Sequence, residues 1–206
     1  LAIVIDKSGS MAGDKIEAAK AAAIAAVSAL NNFDYVQVLA FDGEVYVVAD
    51  MQRATDRKGI MDKIAAVTAG GGTTMYPPMR RAFEDLQKVK ASYKHCILLT
   101  DGQSTPGDFD GLTLEMVKNH ITLSAVGVGQ DFDGQFLRRL AEMGKGRFYD
   151  AAHFDQLPQI FIKEVSVILK SAIFEEPFKP QLAASSELVR GIGAKEYPQL
   201  QGYVCT

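Results

Sequence analysis

The sequence predicts an α/β fold: a doubly wound, mostly parallel sheet with one antiparallel edge strand and helices on both faces. Three observations carry this expectation. Largely apolar runs of strand length, such as Leu1–Ile5, alternate with segments of helical period, and unbroken apolar character marks strands covered on both faces. Helical segments separate most of these runs, as crossovers between parallel strands require. One connection differs: only Asp42-Gly43 lies between Tyr35–Phe41 and Glu44–Ala49. That dipeptide closes tight hairpins, so the second run is expected to be the antiparallel edge.

The remaining elements follow in order. Asp14 offers an N-cap, with Glu17 three residues on, for an alanine-rich helix reaching about Leu30. Thr55 or Asp56 caps a helix to about Val67, which Ala69-Gly-Gly-Gly72 breaks. Pro77 and Pro78 suit the first turn of a helix to about Lys90, where a missing N–H leaves no intrahelical partner unsatisfied. His95–Thr100 is the next strand, followed by a loop over Asp101–Asp110 and a short helix over Gly111–Asn119. The strand Ile121–Val128, a helix over Asp133–Glu142, a short strand Gly146–Tyr149 and a long helix Phe154–Ser171 complete the pattern. Beyond Ile173 the two prolines of Phe174-Glu-Glu-Pro-Phe-Lys-Pro180 end any helix. Residues 1–172 are therefore expected to form the domain, and 173–206 an extended tail or the start of a following domain.

Composition excludes several classes of function. The 206 residues carry 22 basic and 25 acidic side chains, a formal net charge of -3, which does not suit a surface that tracks nucleic-acid phosphates. No apolar run approaches the ~18 residues of a membrane span, and no signal peptide is read. Two cysteines, Cys96 and Cys205, cannot build a disulfide scaffold, and the three histidines are too dispersed for a zinc cluster. Residue 1 already lies in a strand pattern and Gly202–Thr206 stops in an apolar stretch. A piece of a longer polypeptide is expected, with localisation unknown and any membrane attachment made by segments outside it.

Three segments carry the chemistry. Asp6-Lys-Ser-Gly-Ser10 follows the first strand, Gly70-Gly-Gly-Thr-Thr74 precedes the proline-started helix, and Thr100-Asp-Gly102 follows the fourth. Ligands of open parallel sheets bind beyond the carboxyl ends of strands, where the strand order reverses. If the first strand and His95–Thr100 are neighbours there, Asp6 and Asp101 share one crevice. Two carboxylates with Ser8, Ser10 and one threonine are all hard oxygen donors, a set for Mg2+, Mn2+ or Ca2+ and not for zinc or copper.

These segments resemble a known family. Asp6-Lys-Ser-Gly-Ser-Met11, Gly71-Gly-Thr73 and Leu98-Leu-Thr-Asp-Gly102 look like the metal-ion-dependent adhesion site of von Willebrand factor type A domains, whose fold is Rossmann-like. The resemblance covers about residues 1–172 and includes the hairpin edge and Val126-Gly-Val-Gly129. It implies direct metal contact by Ser8, Ser10 and Thr73, with Asp6 and Asp101 acting largely through water. It further implies Mg2+, or Mn2+ or Ca2+, and a carboxylate from a partner protein at the sixth position. Thr74 stands where relatives often carry Asn, Asp or Ala, which favours Thr73 over it. Gln199–Thr206 resembles bacterial membrane-anchored proteins that join such a domain to a glutamine-amidotransferase-like domain.

Each residue also has a plainer reading. An Asp at a strand end is usually a cap; its occurrence with two serines and a glycine-flanked threonine reverses that reading here. Lys7 is expected to be solvated, and the histidines to be surface or satisfied core residues. Met11, Met75 and Tyr76 are read as packing or rim residues. No Gly-x-Ser-x-Gly elbow or Walker pattern occurs. The expected function is metal-dependent protein binding and not catalysis. The alternative is a Mg2+-dependent phosphoryl-transfer enzyme using Asp6 or Asp101 as nucleophile.

Overall fold

A computed structural model of the chain describes residues 1–102, 106–171, 173–174, 199 and 203–204. Its strands are β1 (Ala2–Asp6), β2 (Tyr35–Phe41), β3 (Val45–Arg53), β4 (Lys94–Thr100), β5 (Ile121–Val128) and β6 (Lys145–Ala151). The helices are α1 (Asp14–Ala29), α2 (Arg57–Ala65), α3 (Tyr76–Lys88), α4 (Phe109–Lys118), α5 (Gly134–Met143) and α6 (Leu157–Ser171). The six strands form one sheet in the order β3-β2-β1-β4-β5-β6. All neighbours are parallel except β2 and β3, which pair antiparallel and place β3 at the edge.

Strand alternation divides the core into two layers, because successive side chains point to opposite faces. Ile3, Ile5, Val36, Val38, Ile97 and Leu99 meet α1, α2 and α6 on one face. Ala2, Val4, Leu39, Phe41, Cys96 and Leu98 meet α3, α4 and α5 on the other. Each large apolar side chain so buried contributes roughly 1.5–3 kcal/mol. The alanine richness of α1 has a packing reason. Ala19, Ala22, Ala23 and Ala26 are fully buried, so that helix can lie close to both the sheet and α6.

Local boundaries shift by small, explicable amounts. The N-cap of α1 is Gly13 at φ +82, not Asp14; a left-handed backbone there is open to glycine. Asp14 and Glu17 instead lie in the first helical turn, where their charges still suit the helix dipole. Asp56, of the two candidates, caps α2 by accepting from Gly59 N. Asp108 starts α4 two residues earlier than its apolar period suggests, accepting from Gly111 N at 2.9 Å. A 3-10 turn over Phe154–Gln156 precedes α6.

After α6, Ile173–Phe174 pairs antiparallel with Tyr203–Val204 in a separate two-stranded ladder, β7 and β8. The intervening residues 175–198, and with them most of the expected extended tail or start of a following domain, lie outside the described residues. So do Gln103, Ser104 and Thr105 in the loop after β4.

Candidate metal centre

The chain leaves β1 for β2 on one side, while β4 continues to β5 on the other, so the strand order reverses between β1 and β4. Asp6 closes β1 and Asp101 follows the end of β4; both are buried. The condition posed by the sequence is therefore met, and the two carboxylates share one crevice.

Hydrogen bonds fix each carboxylate. Asp6 Oδ1 accepts from Ser8 N at 2.8 Å and Oδ2 from Thr100 Oγ1 at 2.6 Å. The first bond folds the loop back on its own strand, and the second ties it to β4. Ser10 Oγ lies 3.1 Å from Ser8 Oγ and donates to Asp101 Oδ1 at 2.8 Å. Lys15, in the first turn of α1, places Nζ 2.6 Å from Asp101 Oδ2. Burial raises the Asp6 carboxyl above its ordinary value; Asp101 adds to the rise, and hydrogen bonds from Ser8 and Thr100 oppose it. A second carboxylate beside a buried one makes the crevice a place where a cation is electrostatically favoured.

The threonine loop is strapped to this crevice through its backbone. Gly9 N donates to Gly71 O at 3.0 Å, Gly70 N to Lys7 O at 2.7 Å, and Thr74 N to Asp42 O at 2.7 Å. Gly71 has φ +82, and a Cβ there would lie 2.7 Å from the Asp42 carboxyl carbon; only glycine permits both the angle and the approach. Thr73 Oγ1 borders Gly102, 3.9 Å from where a Cβ on that residue would stand.

Asp6, Ser8, Ser10 and Asp101 thus form one connected cluster, with Thr73 at the neighbouring turn. Among the described residues no group of three or more His, Cys, Asp and Glu side chains is placed to hold a metal ion. Lys7 departs from the solvated reading. Its Nζ pairs with Asp42 Oδ2 at 2.5 Å and lies 4.2 Å from the centre of the Tyr46 ring. The register of β1 on β2, Asp6 opposite Phe41, brings that acid within reach. Sequence reasoning assigned no part in the site to Lys15, Asp42 or Lys7; the hairpin dipeptide was the sole local signal for Asp42, and Lys15 has none. His95 is a buried core residue, with Nδ1 2.6 Å from Thr122 Oγ1, whereas His120 and His153 are exposed.

An open α/β sheet with an oxygen-lined crevice at its topological switch point defines a class of ligand-binding domain. More specifically, the chain belongs to the von Willebrand factor type A domain family, which it matches over residues 1–163. Domains of this family are commonly metal-dependent protein-interaction modules. An uncharacterized protein of Synechocystis is 31% identical over 150 residues, covering 71% of this chain and 36% of that protein. The von Willebrand factor type A structure from Catenulispora acidiphila aligns with a TM-score of 0.76 at 25% identity, over 87% of this chain and 45% of that one. Proximal thread matrix protein 1 of the mussel byssus, with a zinc-occupied MIDAS motif, aligns with a TM-score of 0.70 at 22% identity, over 81% of this chain and 44% of that one. The chain spans less than half the length of each. Among the described residues no helix is long and apolar enough to cross a membrane.

Proposed function

We propose that the crevice holds a divalent cation, Mg2+ with Mn2+ or Ca2+ as substitutes, and through it captures a carboxylate of a partner protein. Ser8, Ser10, Thr73, Asp6 and Asp101 would hold the ion. The observation that carries this reading is the Ser8–Ser10–Asp101 chain of contacts at 3.1 and 2.8 Å, which joins the loops after β1 and β4 around hard oxygen donors. Lys15 Nζ at Asp101 adds that a positive charge is accommodated there. The MIDAS motif of the byssus protein, occupied there by zinc, supports a divalent cation in the crevice. The bound ion would act as a Lewis acid toward an incoming carboxylate. This chain's own residues then hold the loops: Asp6 fixes the serine loop, Gly71 locks the threonine loop, and Asp42 anchors the latter to the hairpin.

Calorimetry with Mg2+ and Mn2+, followed by capture of an acidic partner with and without chelator, tests the reading. Saturable ion binding lost in Ser8→Ala is expected; no ion binding in the folded wild type would sink it. One contact favours the phosphoryl-transfer alternative. Lys15 beside Asp101 is the cation that an aspartyl-phosphate site would need. Metal-dependent turnover of acetyl phosphate, abolished by Asp101→Asn, would establish that reading in place of ours.

A further inference from the structure

The amino-terminal edge of the sheet, opposite the crevice, carries a second concentration of polar groups. A cavity of about 230 Å³ opens between the starts of β4, β5 and β6 and helix α6, bordered by Lys94, His95, His120, Lys145, Arg147 and Glu164. Three permanent cations face it against one carboxylate, in a chain whose net charge is -3. That carboxylate is already committed. Glu164 is fully buried, with Oε1 accepting from Arg147 at 2.9 Å and Tyr149 at 2.5 Å, and Oε2 from Ser124 at 2.8 Å. Lys94 reaches only the Gln87 carbonyl, at 3.4 Å, and Lys145 has no acidic partner among the described residues. His95, 4% exposed, forms part of the wall; its Nε2 lies 3.1 Å from Glu164 Oε2 but is not aligned for a hydrogen bond.

The backbone points to the same place. Among the described residues only His120 (φ 58) and Lys145 (φ 53) are non-glycine residues with positive φ, and both border this cavity. Each follows the end of a helix, where a left-handed residue is usually glycine. A helix carboxyl end favours a nearby cation, which accounts for either residue alone. It does not account for both converging with Lys94 and Arg147 on one cavity, at a conformational cost glycine would avoid. The Lys145 turn is also pressed onto β5: a Cβ on Gly146 would come 2.1 Å from Leu123 O. The side chain therefore departs from a constrained backbone.

We propose that this notch binds a small, multiply charged oxyanion of the phosphate class, with Lys94 and Lys145 supplying the uncompensated positive charge and Arg147, held by Glu164, adding N–H donors beside them. The volume suits an inorganic phosphate or a phosphate monoester head and not a nucleotide. The site stands apart from the cation crevice and does not depend on that reading.

Backbone amide NMR of the full chain, titrated with inorganic phosphate at constant ionic strength with chelator present, tests the proposal. Saturable shifts confined to residues near 94, 120 and 145 are expected, with affinity about tenfold weaker in Lys145→Ala, the loss of one charged contact. Lys58→Ala, on the exposed face of α2, should leave the affinity unchanged. A second titration with glycerol phosphate separates the sources: tighter binding than phosphate identifies an ester head, weaker binding the free ion. Shifts absent from the notch, matched by sodium chloride, or unaltered in Lys145→Ala would overturn it.

Discussion

Gly71 shows how much of the candidate centre rests on a residue with no side chain. Its φ of +82 is strained for any other residue, and a Cβ would meet Asp42, the acid held by Lys7 and by Glu44 N. Its carbonyl also accepts from Gly9 N in the serine loop. Gly71→Ala is therefore expected to cost on the order of 1–3 kcal/mol in urea unfolding and to weaken ion binding more than its stability loss explains. Gly43→Ala provides the comparison. It meets nothing within 4 Å and has no positive φ, so its effect should stay within about 0.5 kcal/mol. Equal effects of the two substitutions would show that the threonine loop is not held by this contact.

At the scale of elements, α1 was legible as a helix but not as a tight contact. Its alanines show no distinct apolar stripe, so the sequence could not say which face meets the sheet; burial of Ala19, Ala22, Ala23 and Ala26 between the sheet and α6 supplies that answer. Ala23→Leu should overpack this contact and destabilise by about 1–3 kcal/mol, read as a lower urea midpoint with an unchanged slope. A neutral outcome would mean that α1 and α6 have room between them. The strand pattern fared better, because apolar runs, the Asp42-Gly43 turn and the crossovers each constrain topology independently. The adjacency of Asp6 and Asp101 was legible only as a condition, that β1 and β4 be neighbours, and the strand order meets it. Lys15 and Glu164 were not legible. Lys15 reaches Asp101 across 86 residues, and Glu164 joins Ser124, Arg147 and Tyr149 from a helix whose period reads simply as apolar. Such long-range polar contacts leave no local spacing to read.

The whole molecule balances charges of opposite sign in their effect on stability. Burial alone would raise the Glu164 carboxyl, but contacts from His95, Tyr149 and Arg147 outweigh it and bring the group down to about 2 from 4.5. A depressed carboxylate stabilises the fold above about pH 4.5 and loses that contribution as pH falls toward 2. His95 works in the same direction. Burial holds it below the ordinary imidazole value of 6.5, against the pull of Glu164, so the unfolded chain takes up its proton first as pH falls. Stability should thus decline below about pH 6.5 through His95 and further below about pH 4.5 through Glu164, the latter by on the order of 3 kcal/mol, and Glu164→Gln should flatten the acid limb of a urea-midpoint profile. An unchanged limb would place the acid sensitivity elsewhere. Asp6 has the opposite sign: its raised carboxyl contributes most when protonated, and that contribution is lost as pH rises, leaving a buried charge unfavourable at neutral pH. A divalent cation in the crevice would offset this cost only where Asp6 is ionised. At pH 7, ion at a hundred times its Kd should add about 2.7 kcal/mol, raising Tm by roughly 5–10 °C for a domain of this size. The gain should shrink in acid as Asp6 takes up its proton, and vanish in Asp101→Asn. Chelator should return the wild type to its ion-free Tm without unfolding it, since two apolar layers independent of the crevice hold the sheet. A Tm indifferent to Mg2+, Mn2+ and chelator at pH 7 would remove the cation from the account of this crevice.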